Sequence, residues 1–390
     1  MTSTGRTGAE LTPAPRPSTS WFKSPPKMAA SIVSGLVTAG GILIGIYPDP
    51  VRTFLDENWP ELLAGTGALA VLLGAVYVSF RAGGRRIRER LVMIDDKSYV
   101  IGSEVAVDIV GPDAVAGRPI RYLERMTDSP ELVVLIHGLG LDANDFRGYL
   151  AETQYHCIAF TMFGFDQRDR HDVRFGLISL DSHMAIIESF LVWLRTEYPG
   201  KRLHLVGFSF GADILMFLAE RSRARGERLA DSVVLLDPNV NRSSMFISTS
   251  ICQLDITSPL GALKKLLEGA ASLIEFQNLC EYLYKVCSKN LAQVQRLACD
   301  VRGKWEESGY SQFLARLAEV DARARRVSVV FSFHYEQHFN ELVRASGQVN
   351  LAVTRMQSTE FDHFQLIGSS ALHRQLDSVV RSSSSLAARS

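Results

Sequence analysis

The chain has 390 residues, room for one large domain with appendages or for two domains. Its 42 Lys and Arg balance 42 Asp and Glu, so the net charge is zero. That excludes a protein that coats nucleic acid through a basic surface.

Five cysteines, Cys157, Cys252, Cys280, Cys287 and Cys299, form no C-x-x-C pair. Their odd number, in apolar or helix-like stretches, predicts free thiols in a reducing compartment. It predicts neither a disulfide framework nor a metal site.

Residues 1–27 open the chain with Ser, Thr, Pro and Gly and read as a disordered cytoplasmic tail. Residues 28–47 (MAASIVSGLVTAGGILIGIY) and 62–80 (LLAGTGALAVLLGAVYVSF) then carry no charge. Each is close to the ~20 residues a helix needs to cross a hydrocarbon core. Gly41 and Gly45 form a G-x-x-x-G pair that lets helices approach closely. The connector has helix-ending Pro48, Pro50 and Pro60 and an interfacial Trp59. Residues 28–80 are therefore predicted as a transmembrane helical hairpin. Arg6, Arg16, Lys23 and Lys27 precede it, and Arg81, Arg85, Arg86, Arg88 and Arg90 follow it. The connector holds Arg52 against Asp49, Asp56, Glu57 and Glu61. This asymmetry places both termini and the C-terminal part on the cytoplasmic side of a two-span membrane protein. A signal peptide fits poorly, because the preceding 27 residues are long for an n-region and no A-x-A-like site follows.

From residue 91 the pattern becomes that of a soluble domain. Residues 98–110 and 118–127 read as a first hairpin or ribbon of strands. ELVVLIHG (131–138) and HCIAFTMFGF (156–165) read as strands buried on both faces. Residues 144–152 form a short predicted helix. Residues 180–198 form a longer one, ended by Pro199-Gly200. RLHLVGFSFG leads into a helix, GADILMFLAERSRARG, and SVVLLDP (232–238) is again a strand. VSVVFSF (327–333) and VNLAVTRM (349–356) complete the set. Alternating strands and helices predict an α/β domain with a mainly parallel sheet over 91–240 and 327–380. The 86 residues of 241–326 are too many for a plain loop. Their helical spacing predicts a cap inserted over the strand ends. Residues 381–390 read as a disordered tail.

Ligands of such sheets sit at the carboxyl ends of strands. Four strand ends matter here: His137-Gly138, Ser209, Asp237-Pro238 and the segment leading to His363. A serine hydroxyl becomes a nucleophile only with a base in reach, an acid to orient that base, and donors for the oxyanion. GFSFG places Ser209 on a strand-to-helix turn, where flanking glycines remove clashing side chains. The N–H of Phe210 is one natural oxyanion donor. A second is expected from the loop after His137-Gly138, at Leu139.

LVVLIHGLGLDANDF, LVGFSFG, LLDP and a late DHF, in this order, resemble the α/β-hydrolase fold. They look most like its lipase, esterase and lysophospholipase members. The resemblance covers roughly residues 98–380. It implies a catalytic Ser209, with His363 as base. For the acid it leaves two positions. The loop FHYEQHFN after the penultimate strand lacks the usual G-x-x-D and offers Glu336. Some lipases of this fold instead place the acid where Asp237 stands, which is the preferred reading. Asp362 is read as structural. His137 is read as fixing the oxyanion loop and His204 as a core residue. His334 and His338 of HYEQH lack a metal-ligand arrangement. No cofactor and no metal are implied.

The expected function is that of a membrane-anchored serine hydrolase, cleaving an ester or thioester of a lipid or acyl substrate through an acyl-enzyme. Alternatives are amidase-type chemistry on the same fold and a non-catalytic membrane adaptor. Exact substrate and oligomeric state are left open.

Overall fold

In a computed structural model the described residues are 87–387, apart from 95–98, 102–104, 107–118, 171–176, 224, 225, 227, 258–263, 265, 269, 271 and 348. The predicted tail over 1–27 and hairpin over 28–80 lie outside them. Among the described residues no helix is long and apolar enough to cross a membrane.

The sheet is built from β1 (Ile87–Ile94), β2 (Tyr99–Ile101), β3 (Val105–Ala106), β4 (Pro119–Arg125), β5 (Glu131–Ile136), β6 (His156–Thr161), β7 (Arg202–Phe208), β8 (Ala230–Leu236), β9 (Ala324–Phe331) and β10 (Thr354–Ser358). Their order is β10-β9-β8-β7-β5-β6-β4-β1-β2-β3. The six strands from β10 to β6 are parallel, and β4, β1, β2 and β3 add antiparallel pairs at one side. Every residue of β5 and β6 is buried, as their unbroken apolar runs predict for strands covered on both faces.

Strand β1 was not expected. IRERLVMI carries three consecutive charges, Arg88, Glu89 and Arg90, before its apolar half, and the arginine run reads as a membrane flank. Its backbone pairs antiparallel with β4 along seven positions, from Ile87 against Arg125 to Met93 against Pro119. Strand pairing here overrides what local charge indicates.

Helices α1 (Arg147–Glu152), α2 (Leu180–Glu197) and α3 (Phe210–Ser222) follow β5, β6 and β7. Ser179 caps α2 by accepting from Ser182 N–H. After β8 come α4 (Phe246–Cys252), α5 (Leu273–Cys287), α6 (Leu291–Gly303) and α7 (Ser311–Asp321). Helix α8 (Glu336–Ser346) follows β9, and α9 (Ser369–Ala387) closes the chain. Helix α7 falls within the predicted cap span, 241–326, yet it packs against α3 and β9. Its Arg316 lies over the Phe217 and Trp305 rings, 4.6 and 4.4 Å from their centroids, and pairs with Glu220 at 3.0 Å. The insertion proper is therefore α4, α5 and α6. Helix α9 runs on into the stretch predicted as disordered, because its Leu372, Leu376, Val379 and Val380 stripe is buried and no Pro or Gly follows to stop it.

The five-thiol expectation is corrected. Cys252 at the end of α4 and Cys299 in α6 are bonded to each other, with Cα atoms 5.0 Å apart. The two helices pack together, which brings cysteines 47 positions apart in sequence within bonding distance. Cys157, Cys280 and Cys287 are free.

Candidate active site

Strand β7 runs into α3 through a single residue. Ser209 adopts φ 51° and ψ −117°, a region that L-residues with side chains avoid. Its N–H donates to Leu236 O at 2.7 Å, and its carbonyl accepts from Ala212 N–H at 2.8 Å. The turn demands its glycines: a Cβ on Gly207 would lie 2.4 Å from Gly211 O, and one on Gly211 would lie 2.3 Å from Ile136 O. Such a strained residue, held by the strands on both sides, is a common mark of a functional position. The serine is thereby raised out of the sheet edge rather than buried in the turn.

Asp237, just past β8, is the other non-glycine residue with positive φ among the described residues, at 49°. Its carboxylate is buried and fully engaged. Oδ1 accepts from Ser332 N–H at 2.8 Å, and Oδ2 accepts from Ser332 Oγ at 2.7 Å. His363 Nδ1 lies 2.6 Å from the same Oδ2. The His363 ring also leans on Phe208, with centroids 4.7 Å apart. Glu336 does not share this arrangement: it is an exposed residue in the first turn of α8. Of the two candidate carboxylates, the fold brings Asp237 to His363.

Ser209, Asp237 and His363 border one cavity of about 480 Å³, as do Leu139, Phe208 and Tyr335. Phe210 is the first residue of α3, so its N–H is among those a helix leaves without an internal acceptor. Leu139 sits in the turn after β5, where Leu141 N–H donates to Gly138 O at 3.2 Å. His137 fixes this turn. Met162 N–H donates to its Nε2 at 3.1 Å, which leaves Nδ1 to donate to Gly138 O at 2.8 Å. Burial pulls the His137 imidazole down to about 4, so it stays neutral near pH 7.

Helix α5 clamps the same turn from above. Gly140, at φ +78°, has no space for a side chain: a Cβ there would lie 2.4 Å from Val286 Cγ2. Lys285 reaches Asp145 at 2.5 Å, and the buried Lys289 pairs with Asp142. Nothing in the sequence pointed to these two ion pairs, nor to Ser332, which ends a strand run and shows its role only once β8 and β9 are side by side.

His204, His338 and His334 have partners of their own. His204 is buried between Ser232 Oγ at 2.6 Å and Glu131 Oε2 at 2.7 Å, a core role. His338 meets the Tyr310 hydroxyl at 2.8 Å, and His334 lies 3.9 Å from Glu275. Asp362 is turned to Asn278 Nδ2 at 3.0 Å and Gln365 N–H at 2.7 Å, away from His363's acid. Among the described residues no group of His, Cys, Asp and Glu is arranged to hold a metal ion.

Residues 131–256 match the family model described as the alpha/beta hydrolase fold. No curated protein sequence matches the chain. Three solved structures illustrate the likeness. An enzyme that recognises and cleaves the ring of the Pseudomonas quinolone signal shares 14% identity over 67% of this chain and 97% of its own, with a TM-score of 0.50. A bacterial membrane phospholipase A described as a virulence factor shares 16% over 84% and 99%, with a TM-score of 0.48. A thermophilic esterase from Thermogutta terrifontis shares 15% over 70% and 97%, also at 0.48. At such identities the likeness is one of fold. The parallel strand order, the strained serine between β7 and α3 and the matched segment together give this chain the α/β-hydrolase fold.

Proposed function

We propose that the protein is a serine hydrolase acting on an ester or thioester with an apolar acyl part. One observation carries the reading. Ser209 stands at the strand-to-helix turn and His363 is held by a buried carboxylate, with both bordering one cavity. In this reading Nδ1 of His363 is occupied by Asp237, which leaves Nε2 to take the proton from Ser209 Oγ. Oγ attacks the carbonyl, and the Leu139 and Phe210 N–H groups receive the oxyanion. His363 returns the proton to the leaving group, and water then releases the acyl-enzyme. Asp237 bonded twice to Ser332 keeps its orientation through the cycle. The α/β-hydrolase fold also favours hydrolysis.

The adaptor alternative expects a histidine without an acid, and the 2.6 Å contact to Asp237 speaks against it. The two charge-free runs at 28–47 and 62–80 support a membrane hairpin, with the flanking arginines and lysines orienting both termini and the hydrolase domain to the cytoplasm.

The full-length chain is expected to hydrolyse short acyl esters and to be labelled by a fluorophosphonate probe. Both signals should vanish in Ser209→Ala at unchanged thermal stability. An active or labelled Ser209→Ala protein overturns the assignment.

A further inference from the structure

The charged side chains bordering the cavity at Ser209 are carboxylates, with the imidazoles of His334 and His363 beside them. Asp237, Glu275 and Asp362 border it, and no lysine or arginine does among the described residues. Asp237 is committed to His363. Asp362, 7% exposed, meets dipoles at Asn278 and at the Gln365 backbone. Glu275 stands 3.9 Å from His334, which borders the same cavity. Much of the remaining lining is apolar, with Met245, Phe246, Ile247, Leu266 and Leu279. The cavity thus offers greasy contacts for an acyl chain. Its charged lining is acidic, and Asp362 adjoins His363 in the chain.

Tyr282 stands on α5. Its ring borders the cavity and packs on Phe364 at 5.3 Å between centroids. Its hydroxyl is buried and has no hydrogen-bond partner among the described residues. Buried polar groups are rarely left unpaired, and such an exception calls for a ligand or a role.

Building on hydrolysis at Ser209, we infer that the site takes esters or thioesters whose leaving group is neutral or cationic. Leaving groups that carry phosphate, sulfonate or carboxylate are turned away. The leaving group must lie at His363 to receive its proton, and Asp362 adjoins that residue. An anion there sheds hydration and meets the Asp362 and Glu275 carboxylates. A hydroxyl can donate to them, and an ammonium is attracted by them. In the reaction the acyl–sulfur or acyl–oxygen bond breaks as the acyl–Oγ bond forms. The Ser209 proton passes through His363 to the departing atom, and water then yields the acid and regenerates the serine.

The test uses three butyryl thioesters that differ only in the thiol: thiocholine, 2-mercaptoethanol and 3-mercaptopropanesulfonate. Thiol release by the full-length chain gives kcat/KM for each, divided by the alkaline hydrolysis rate of the same compound. The sulfonate is expected at least tenfold below the hydroxyl compound, and thiocholine at or above it. Glu275→Lys is expected to narrow or reverse that order, and the wild-type ratio stands by itself if the variant fails to fold. Turnover of all three within tenfold overturns this inference and leaves hydrolysis at Ser209 standing. Turnover of none overturns both.

Discussion

At the scale of single residues, the choice between Asp237 and Glu336 is decided by where β8 ends. Asp237 accepts two hydrogen bonds from Ser332 and holds His363 Nδ1 at 2.6 Å. Glu336 sits on an exposed helical turn. An acid in Asp237's place holds the imidazole in the tautomer whose other nitrogen faces the serine. An amide in its place offers a donor as readily as an acceptor and favours the wrong tautomer. Asp237→Asn is therefore expected to lower kcat on an acyl ester by roughly 10³–10⁴-fold, with little change in KM. Glu336→Gln is expected to stay within about twofold, the range of an exposed surface change. Equal losses in the two variants would reopen the assignment. The sequence could bring both carboxylates to strand ends but could not say which one turns inward. That depends on Asp237's left-handed φ of 49° and on Ser332 standing beside it across two strands.

At the scale of elements, the elbow is held by backbone crowding more than by side chains. A methyl on Gly211 would meet Ile136 O at 2.3 Å and His137 O at 2.8 Å, at the end of β5 and one residue past it. The Ile136 carbonyl cannot move without disturbing the end of the β5 ladder. Gly211→Ala is thus expected to cost more than about 3 kcal/mol, the range of severe overpacking. The readout is the denaturation midpoint of the full-length chain. Gly303→Ala, at the end of α6 with nothing within 4 Å, is the control. It is expected to be neutral or to stabilise by about 0.5–1 kcal/mol. A small effect at Gly211 would mean that the turn relaxes and that Ser209 is not strained. The elbow and the strands β5 to β9 were legible in the sequence because unbroken apolar runs ending in His-Gly, Gly-x-Ser-x-Gly and Asp-Pro have few other readings. Strand β1 was not, since arginines at alternating positions fit an inner antiparallel strand and a membrane flank equally well. Helix α7 was assigned to the cap because an amphipathic stripe states that a helix packs, not on what. Here the partner is α3, through Arg316 laid over Phe217 and Trp305.

At the scale of the whole molecule, the Cys252–Cys299 bond and the charge pattern of the chain point to different compartments. Arginines and lysines flank the two apolar runs on the side that would keep the hydrolase domain in the cytoplasm. Disulfides persist in oxidising compartments. The two cysteines are set together by the packing of α4 on α6, so the bond can close wherever the redox conditions permit. With the proposed orientation, the pair is expected open in living cells and closed in chain purified under air. Alkylation under denaturing conditions reads the difference. Purified chain should show three reactive thiols, Cys157, Cys280 and Cys287, and all five cysteines after reduction. Chain from acid-quenched cells should show all five without reduction. Closing a loop between cysteines 47 positions apart restricts the unfolded chain, so reduction of the purified protein is expected to lower its stability by about 2–4 kcal/mol. The Cys252→Ser/Cys299→Ser variant should lose that sensitivity. A count of three in quenched cells would place the domain on the far side of the membrane and overturn the orientation argued from charge. Five thiols in the purified chain would remove the bond and leave α4, whose Phe246 and Ile247 border the cavity, held to α6 by packing alone.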